Sequence, residues 1–419
     1  MSKRKQISLI LLCWVLYLTS YVAKYSYTAN INPIMTFYSV SKSEAGLIST
    51  LFFFAYGAGQ IINGLLCKFY NKKYVISGAM IISAIVNGII FFQPPFAYIK
   101  YFWLINGLAQ SFLWSSLMVV LSDNLDDALL GKAVFAMATT VPVGTCITYG
   151  CSALFLNSGT NFYKYSFLLG SFLALIVAFL WIALYSSLTI KKSKDAISVE
   201  KTSTFNNDKK KTVDNSFVFL LVSLCIIAVI INFVKDGVNT WFPTILKEMF
   251  GLGDSLSVLL TFALPMCGVF GAVVALGFNK FLKDYIQLLG VLFVLTSILI
   301  GISLILFAQS SKAILVLIFV IVCFALLACL LSSSNNVVTT IAPLYLRRKM
   351  NSGFTSGIIN GCCYLGSTLA SYLFGLIAEN SGWNVVFIVS LCICLMPVLY
   401  MAIYSFIKIF KKEKEKISI

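Results

Sequence analysis

Two lysines stand inside long apolar stretches and are the residues best placed to do chemistry. Lys24 lies near the middle of the apolar run 7–38, and Lys235 lies at about the same depth in the run 216–246. An ammonium group in such a stretch is costly in a bilayer, so we expect both to face a water-filled cavity or binding site. There they would bind an anion. The alternative for Lys24 is snorkelling to a lipid headgroup, which its distance from both ends of the run disfavours.

Polar side chains accompany each lysine at spacings of three and four residues, which place them on one face of a helix. Besides Lys24 and Lys235, the candidate substrate-binding residues on these faces are Tyr17, Tyr21, Thr28, Asn232 and Asn239. Three further candidates at helical spacing in neighbouring runs are Tyr56, Gln60 and Gln110. Such side chains either face a transport pathway or hydrogen-bond adjacent helices. We expect the first role for Tyr56 and Gln60.

Asp236 is the one acidic residue that we place inside an apolar run. Proton-driven symporters use a buried carboxylate or histidine to carry the proton, and this chain has no histidine. Two cations with so few acids favour the exchange of one anion for another. Asp236 points about 100° away from Lys235 on an ideal helix, so it could pair with a neighbouring helix or act as the titrating group. It is therefore the candidate coupling residue.

The two lysine-bearing stretches belong to an internal repeat. Lys24 and Lys235 are 211 residues apart, and Pro33 and Pro243 are 210 apart. The pair Lys68-Phe69 recurs as Lys280-Phe281 at an offset of 212. Landmarks that keep register over this length indicate a duplication. Two equivalent helices then bring two cations to one central site, a pattern typical of repeat-built transporters.

The composition identifies the elements that must position these residues. Hydrophobic residues make up 59% of the chain and charged residues 11%, with a mean hydropathy of +0.93, which is typical of a polytopic membrane protein. Apolar runs of about 20 residues predict helices at 7–38, 46–66, 74–93, 99–121, 132–155, 164–188, 216–246, 257–278, 285–308, 313–342, 351–377 and 385–408. The predicted fold class is all-α, with twelve transmembrane helices in two pseudo-symmetric six-helix bundles.

The predicted organisation has three parts. Residues 1–190 form the N-terminal bundle, and residues 216–419 form the C-terminal bundle with a charged tail. Between them, residues 191–215 are polar and lysine-rich, without apolar periodicity, and read as a flexible linker.

The distribution of basic residues predicts the orientation. Of the 31 lysine and arginine residues, 24 fall in the termini and loops on the side of the N-terminus. The opposite side holds only Lys42, Lys100, Lys164, Lys247 and Lys312. By the positive-inside rule, both termini and the linker are cytoplasmic, in what we expect to be the plasma membrane. The net charge of +16 then reflects topology and contact with the bilayer, not nucleic-acid binding.

The sequence gives little support for an enzyme, a metal site or a cofactor. The twelve cysteines fall outside the predicted outward loops, and the pairs Cys362-Cys363 and Cys392-x-Cys394 lie in apolar helices, where packing is the expected role. Without histidine, a metal cluster or paired carboxylates, catalysis is not predicted. We expect a monomer whose partners are a small anionic substrate, either a phosphate ester or a carboxylate, and the bilayer.

Four segments carry a resemblance to a known family. They are YLTSYVAKYSYTANINPI, YGAGQIINGLL, NGLAQSFLW and INFVKDGVNTWFPTILKE. In these the chain resembles the organophosphate:phosphate antiporter family of the major facilitator superfamily, which includes glycerol-3-phosphate and hexose-phosphate transporters. The resemblance implies that Lys24 and Lys235 replace two phosphate-binding arginines. A lysine is a point charge, whereas arginine offers a planar fork. A helix-5 histidine of the glycerol-3-phosphate branch is also missing, with Thr139 and Thr140 in its neighbourhood.

Together these features predict a secondary transporter that moves a small organic anion by alternating access. The leading substrate is a phosphorylated metabolite exchanged for inorganic phosphate. One alternative is a proton- or cation-coupled symporter of a carboxylate such as a hexuronate, with Asp236 as the coupling residue. Another is a transporter-like membrane sensor of sugar phosphates.

Overall fold

The computed structural model describes residues 2–66, 69–189, 215–282, 284–308, 313–342 and 352–417. Within these ranges the chain is almost entirely helical and contains no strand. The predicted linker 191–215 lies outside the described residues except for Asn215, and so does the landmark Lys68.

Six helices form the first half of the molecule. Helix α1 comprises Lys3–Ala29 and Ile31–Tyr38, α2 is Lys42–Leu66, α3 is Lys72–Phe91, α4 comprises Phe96–Ser111 and Leu113–Asn124, α5 comprises Asp127–Ala138 and Thr140–Asn157, and α6 is Lys164–Leu188. A short 3-10 helix, Thr160–Tyr163, precedes α6.

Six more helices form the second half. Helix α7 is Asn215–Phe250, α8 comprises Asp254–Thr261, Ala263–Gly268 and Gly271–Phe281, α9 is Tyr285–Ala308, and α10 is Ile314–Asn336 followed by the π-helical turn Val337–Ile341. The remaining segment Ser352–Ile417 is two helices, because Gly382 has non-helical backbone angles (φ 81°, ψ 168°). We call residues 352–381 α11 and residues 383–417 α12. The twelve predicted helices are therefore confirmed in the described part of the chain.

Prolines account for three interruptions that the apolar runs do not predict. A proline removes the hydrogen bond to the carbonyl four residues earlier and its ring crowds that carbonyl. The first segment of α1 ends at Ala29, four residues before Pro33, and that of α5 ends at Ala138, four before Pro142. The first segment of α8 ends at Thr261, four residues before Pro265. The prediction of one continuous helix over 7–38 is thus wrong at Asn30.

The helices pack into two halves, and four helices make the most extensive contacts between them. In the first half α1 packs on α5 and α6, α2 on α4, and α3 on α6. Between the halves, α2 packs on α11 and α5 packs on α8. The contact of α2 with α11 is close: a Cβ on Gly46 would lie 2.3 Å from the carbonyl oxygen of Ser371. Only glycine, which has no Cβ, allows the two backbones to approach so closely.

Alternating helix directions give the molecule two ends. The basic face holds the start of α1, the turn before α3 at Asn71, the turn at Leu125 and the end of α6. The opposite face holds the turns at Ser39 and Pro94, the turn before α6 at Gly159 and the turn before α8 at Leu252.

Candidate anion-binding site

A cavity of about 690 Å³ lies between the two halves and is lined by both. Its walls come from α1, α2, α4 and α5 on one side and α7, α8, α10 and α11 on the other. This volume falls in the range of small-molecule sites in proteins. Lys24, Lys235 and Asp236 are the charged residues among its described lining.

The ammonium group of Lys24 is surrounded by aromatic rings. Its Nζ lies 4.7 Å from the ring centre of Tyr56, 5.3 Å from those of Phe52 and Phe53, 5.5 Å from that of Tyr21 and 5.7 Å from that of Tyr25. Ring faces attract a cation but leave its charge unneutralised. Among the described residues, no carboxylate forms an ion pair with Lys24. The charge on this side of the cavity is therefore available to an anion.

The ammonium group of Lys235 has polar partners instead. It donates a hydrogen bond of 2.7 Å to Oδ1 of Asn232 and lies 3.6 Å from Oδ1 of Asp236. The other carboxylate oxygen of Asp236 accepts a hydrogen bond from the hydroxyl of Ser367 on α11. Asn232 in turn donates to Oδ1 of Asn335 on α10, at 3.0 Å. Three helices of the second half thus hold one polar network around Lys235.

The structure brings most of the predicted site residues to this cavity. The predicted residues that line it are Tyr17, Tyr21, Lys24, Gln60, Asn232, Lys235, Asp236 and Asn239. Tyr56 stands beside them, with its ring against Lys24 and its centre 4.9 Å from that of Tyr364. Asp236, for which the sequence left pairing with a neighbouring helix or titration open, accepts a hydrogen bond from Ser367 on α11 and also lies beside Lys235.

Two predicted residues lie elsewhere. Gln110 is 2% exposed and donates to the hydroxyl of Ser83 at 2.9 Å and to Asn106 at 3.2 Å, so its amide links α4 to α3 inside the first half. Thr28 is buried at the end of the first segment of α1 and is not part of the cavity wall. Thr28 lies one turn beyond Lys24, about 6 Å further along α1 toward the opposite face, where the two halves are joined.

Several cavity residues on α11 were not predicted from the sequence, because that helix stood out only for its many small residues. Asn360, Tyr364 and Ser367 of α11 line the cavity at spacings of four and three. That spacing is the same signal that identified Tyr17, Tyr21 and Lys24, and it could have found them. Tyr25 was not predicted from the sequence either, because a residue adjacent to Lys24 falls outside the spacing of three or four residues. Its ring nevertheless lies against the Lys24 ammonium group.

The cavity extends toward the basic face. Its lining includes Phe135 and Met137 of α5 and Phe270 and Val273 of α8, which lie in the parts of those helices that run to this face. At the opposite face the halves are joined, since the hydroxyl of Thr244 donates to Asn32 at 2.7 Å. The structure is therefore a conformation closed at the opposite face.

Two further contacts complete the closure of the opposite face. Lys42 of α2 forms an ion pair of 3.0 Å with Glu248 of α7, and the backbone N–H of Ser43 donates to Glu379 at 3.0 Å. Each joins the first half to the second. The indole N–H of Trp383 also donates to Glu248, at 2.8 Å, and so holds its carboxylate in place.

Comparisons with known proteins bear on the whole chain. The sequence model described as the Major Facilitator Superfamily matches residues 13–352. Sugar phosphate exchanger 3 of Bos taurus is 21% identical over 390 residues, which cover 82% of this chain and 76% of that protein. The glycerol-3-phosphate transporter of Bacillus subtilis (strain 168) is 22% identical over 395 residues, covering 88% and 86%. The predicted resemblance to organophosphate:phosphate antiporters is thereby confirmed.

One similar protein is a sensor, and the solved structures confirm the fold. Membrane sensor protein UhpC of Escherichia coli (strain K12) is 26% identical over 108 residues, 26% of this chain and 24% of that protein. A bacterial homolog of the human lysosomal transporter Spinster superposes with a TM-score of 0.76 at 15% identity, covering 97% of this chain and 98% of that one. The D-xylose-proton symporter gives a TM-score of 0.74 at 14% identity, covering 94% and 97%.

Proposed function

This chain belongs to the Major Facilitator Superfamily, and we propose that it exchanges a phosphorylated metabolite for inorganic phosphate across the membrane. The observation that carries the proposal is one cavity between the halves into which each half brings a lysine. Lys24 and Lys235 with Asp236 give this site a net positive charge, which suits an anion. The relatives named as a sugar phosphate exchanger and a glycerol-3-phosphate transporter favour a phosphate ester as that anion.

The rest of the cavity suits the carbon part of such a substrate. Amides of Asn232, Asn239 and Gln60 offer donors and acceptors to hydroxyl groups. The rings of Tyr21 and Tyr25 offer apolar faces. A phosphorylated sugar or polyol has the same mixture of hydroxyl groups and carbon–hydrogen surface, so its head would bind the lysines and its body the amides and rings.

The charges also explain why transport would be an exchange. For the site to cross from one side to the other, the cavity must close around Lys24 and Lys235 and remove water from them. Closing on two cations with one carboxylate leaves an uncompensated charge in a dry site, which is costly. A bound anion removes that cost. The protein would therefore change sides readily when loaded and slowly when empty.

The test is uptake of labelled phosphate into proteoliposomes of the purified protein. Vesicles preloaded with phosphate should take up label many times faster than empty vesicles. Vesicles carrying the double variant Lys24→Ala with Lys235→Ala give the background. Equal uptake by loaded and empty vesicles would contradict exchange, and uptake abolished by collapsing a pH gradient would favour the carboxylate or proton-coupled alternative.

A second candidate is a membrane sensor of sugar phosphates. The similarity to UhpC over 108 residues favours it. A sensor would bind an anion at the same two lysines but would not carry it across. The proteoliposome experiment separates the two functions, because saturable phosphate binding without exchange indicates the sensor and exchange indicates the transporter.

A further inference from the structure

A carboxylate in a site for anions needs an explanation. Asp236 lines the same cavity as Lys24 and Lys235, and its side chain is 16% exposed. Its charge opposes that of any incoming anion. A neutral side chain at this position would leave both lysines to the substrate. The proposed function uses the two lysines and assigns no role to Asp236.

The groups around Asp236 show how its charge enters the site. From its own helix, Lys235 lies 3.6 Å away. From α11, the hydroxyl of Ser367 donates to it and the thiol of Cys363 lies within range of its charge. Lys24 and the phenols of Tyr21 and Tyr25, all on α1, are close enough to interact electrostatically with the Asp236 carboxylate. Two cations and one carboxylate sum to a single positive charge.

We propose that Asp236 selects the charge of the substrate, so that a monovalent anion binds with Asp236 ionised and a divalent anion binds together with one proton on Asp236. The inference rests on the proposed anion site and goes beyond it in naming the charge state of the ligand. In both cases the loaded site is neutral. A neutral site is the form that can close without burying an uncompensated charge.

The proton balance is simple. A proton from solution adds to a carboxylate oxygen of Asp236, and no other bond forms or breaks. The protonated carboxyl group no longer repels the anion. The hydroxyl of Ser367 can donate to a carboxylate or accept from a carboxyl group, so it satisfies both forms. A phosphate monoester titrates between one and two negative charges near neutral pH and would therefore bind in either state with the same total number of protons.

The test uses two tetrahedral probes of fixed charge with the purified full-length protein. Sulfate carries two negative charges and dimethyl phosphate carries one at neutral pH. Calorimetric titrations in buffers of different ionisation enthalpy measure the number of protons taken up on binding. We expect about one proton with sulfate and none with dimethyl phosphate. Sulfate affinity should fall about tenfold per pH unit above neutrality, because a linked proton becomes scarcer.

The variant Asp236→Asn isolates the carboxylate. It should bind sulfate at least about tenfold more tightly than wild type at pH 8, because the wild type loses about tenfold per pH unit above neutrality to the linked proton and the variant does not. The proton uptake and the pH slope for sulfate should disappear. The matched control is Asp127→Asn, whose exposed carboxylate stands at the start of α5 on the basic face, outside the cavity. It should behave as wild type.

The outcomes separate this inference from the proposed function. Wild-type protein that binds sulfate without proton uptake overturns the role of Asp236 and needs no variant to do so. Sulfate binding by Asp236→Asn that keeps its pH slope overturns it as well. Wild-type protein that binds neither sulfate, dimethyl phosphate nor inorganic phosphate overturns the anion site itself, and the inference falls with it.

Discussion

The ammonium groups of Lys24 and Lys235 lie in different chemical surroundings, although they face one cavity. Lys24 is held by five aromatic rings, and Lys235 is held by Asn232 and Asp236. An anion that approaches Lys24 meets a cation that has no ion-paired carboxylate among the described residues, whereas at Lys235 it competes with Asp236. We infer that Lys24 provides the stronger attraction to the empty site and that Lys235 completes the binding.

We predict that Lys24→Ala and Lys235→Ala each weaken the binding of inorganic phosphate by about 10- to 150-fold, the typical cost of a lost charge-assisted hydrogen bond. The double variant should lose less than the product of the two single losses, because both lysines share one ligand. Calorimetric titration of the purified proteins measures all four affinities.

The matched controls for these alanine variants are Lys24→Arg and Lys235→Arg. They keep the charge and offer a planar fork that suits phosphate oxygens, so phosphate affinity should be kept or increased. At position 24 the guanidinium could also stack on the surrounding rings. Normal phosphate affinity in both alanine variants would show that these lysines are structural.

At the scale of the helices, hydropathy predicted where each of the twelve lies, because a membrane span needs a long apolar run. The breaks in α1, α5 and α8 each fall four residues before a proline, but Pro243 and Pro397 leave α7 and α12 continuous, so a proline alone does not predict a break. The break at Phe112 in α4 has no proline within the next four residues, and its cause is not in the local sequence. Hydropathy measures the apolar character of the side chains and not the backbone geometry, so it could not predict the positions of these breaks.

The same limit applies to the candidate site. Helical spacing gives the direction of a side chain relative to its own helix, which sufficed for Tyr17, Tyr21 and Asn239. It does not say which element packs on that side. The amide of Gln110 meets the hydroxyl of Ser83 on α3 rather than the cavity, and only the packed structure decides this.

The closure of the opposite face depends on a small number of contacts between elements. We predict that Glu248→Gln shifts the protein toward conformations open at that face, because it removes the ion pair between α2 and α7. The side chains of Lys42 and Glu248 are 21% and 38% exposed, so the pair contributes at most about 1 kcal/mol and the population changes at most about fivefold. Pulsed electron resonance between spin labels at residues 39 and 253, introduced as unnatural amino acids, measures the change as a longer distance.

The matched control for Glu248→Gln is Asp254→Asn. It breaks the ion pair of 2.8 Å between Lys247 and Asp254, which lies at the same face but joins α7 to α8 within one half. The distance between the labels should not change in this variant. A distribution that is the same for Glu248→Gln and wild type would show that the ion pair does not hold the face closed.

At the scale of the whole molecule, the internal repeat places unlike residues at equivalent positions. With Lys24 and Lys235 in register, Tyr21 corresponds to Asn232 and Tyr25 corresponds to Asp236. The first half therefore supplies rings to the cavity where the second half supplies an amide and a carboxylate. A symmetric pair of cations within an asymmetric cavity can hold a phosphate group centrally and still orient the rest of the molecule in one direction.

The orientation of the protein in the membrane determines which compartment the open cavity faces. The positive-inside rule predicts that the basic face is cytoplasmic, because 24 of 31 basic residues lie in segments on that side. We predict that a membrane-impermeant thiol reagent labels Asn206→Cys only after cells are permeabilised. The same reagent should label Ser158→Cys on intact cells, since Ser158 is exposed in the turn between α5 and α6 at the opposite face.

The unmodified protein is the blank for this experiment, because its twelve cysteines fall outside the predicted outward loops. Labelling of Asn206→Cys on intact cells, with Ser158→Cys protected, would reverse the orientation. With the predicted orientation, the conformation described here has its anion site extended toward the cytoplasm and closed to the outside by Thr244 and Glu248. The next ligand to bind would then be an anion from the cytoplasm. In the proposed exchange, this anion is the one that is exported.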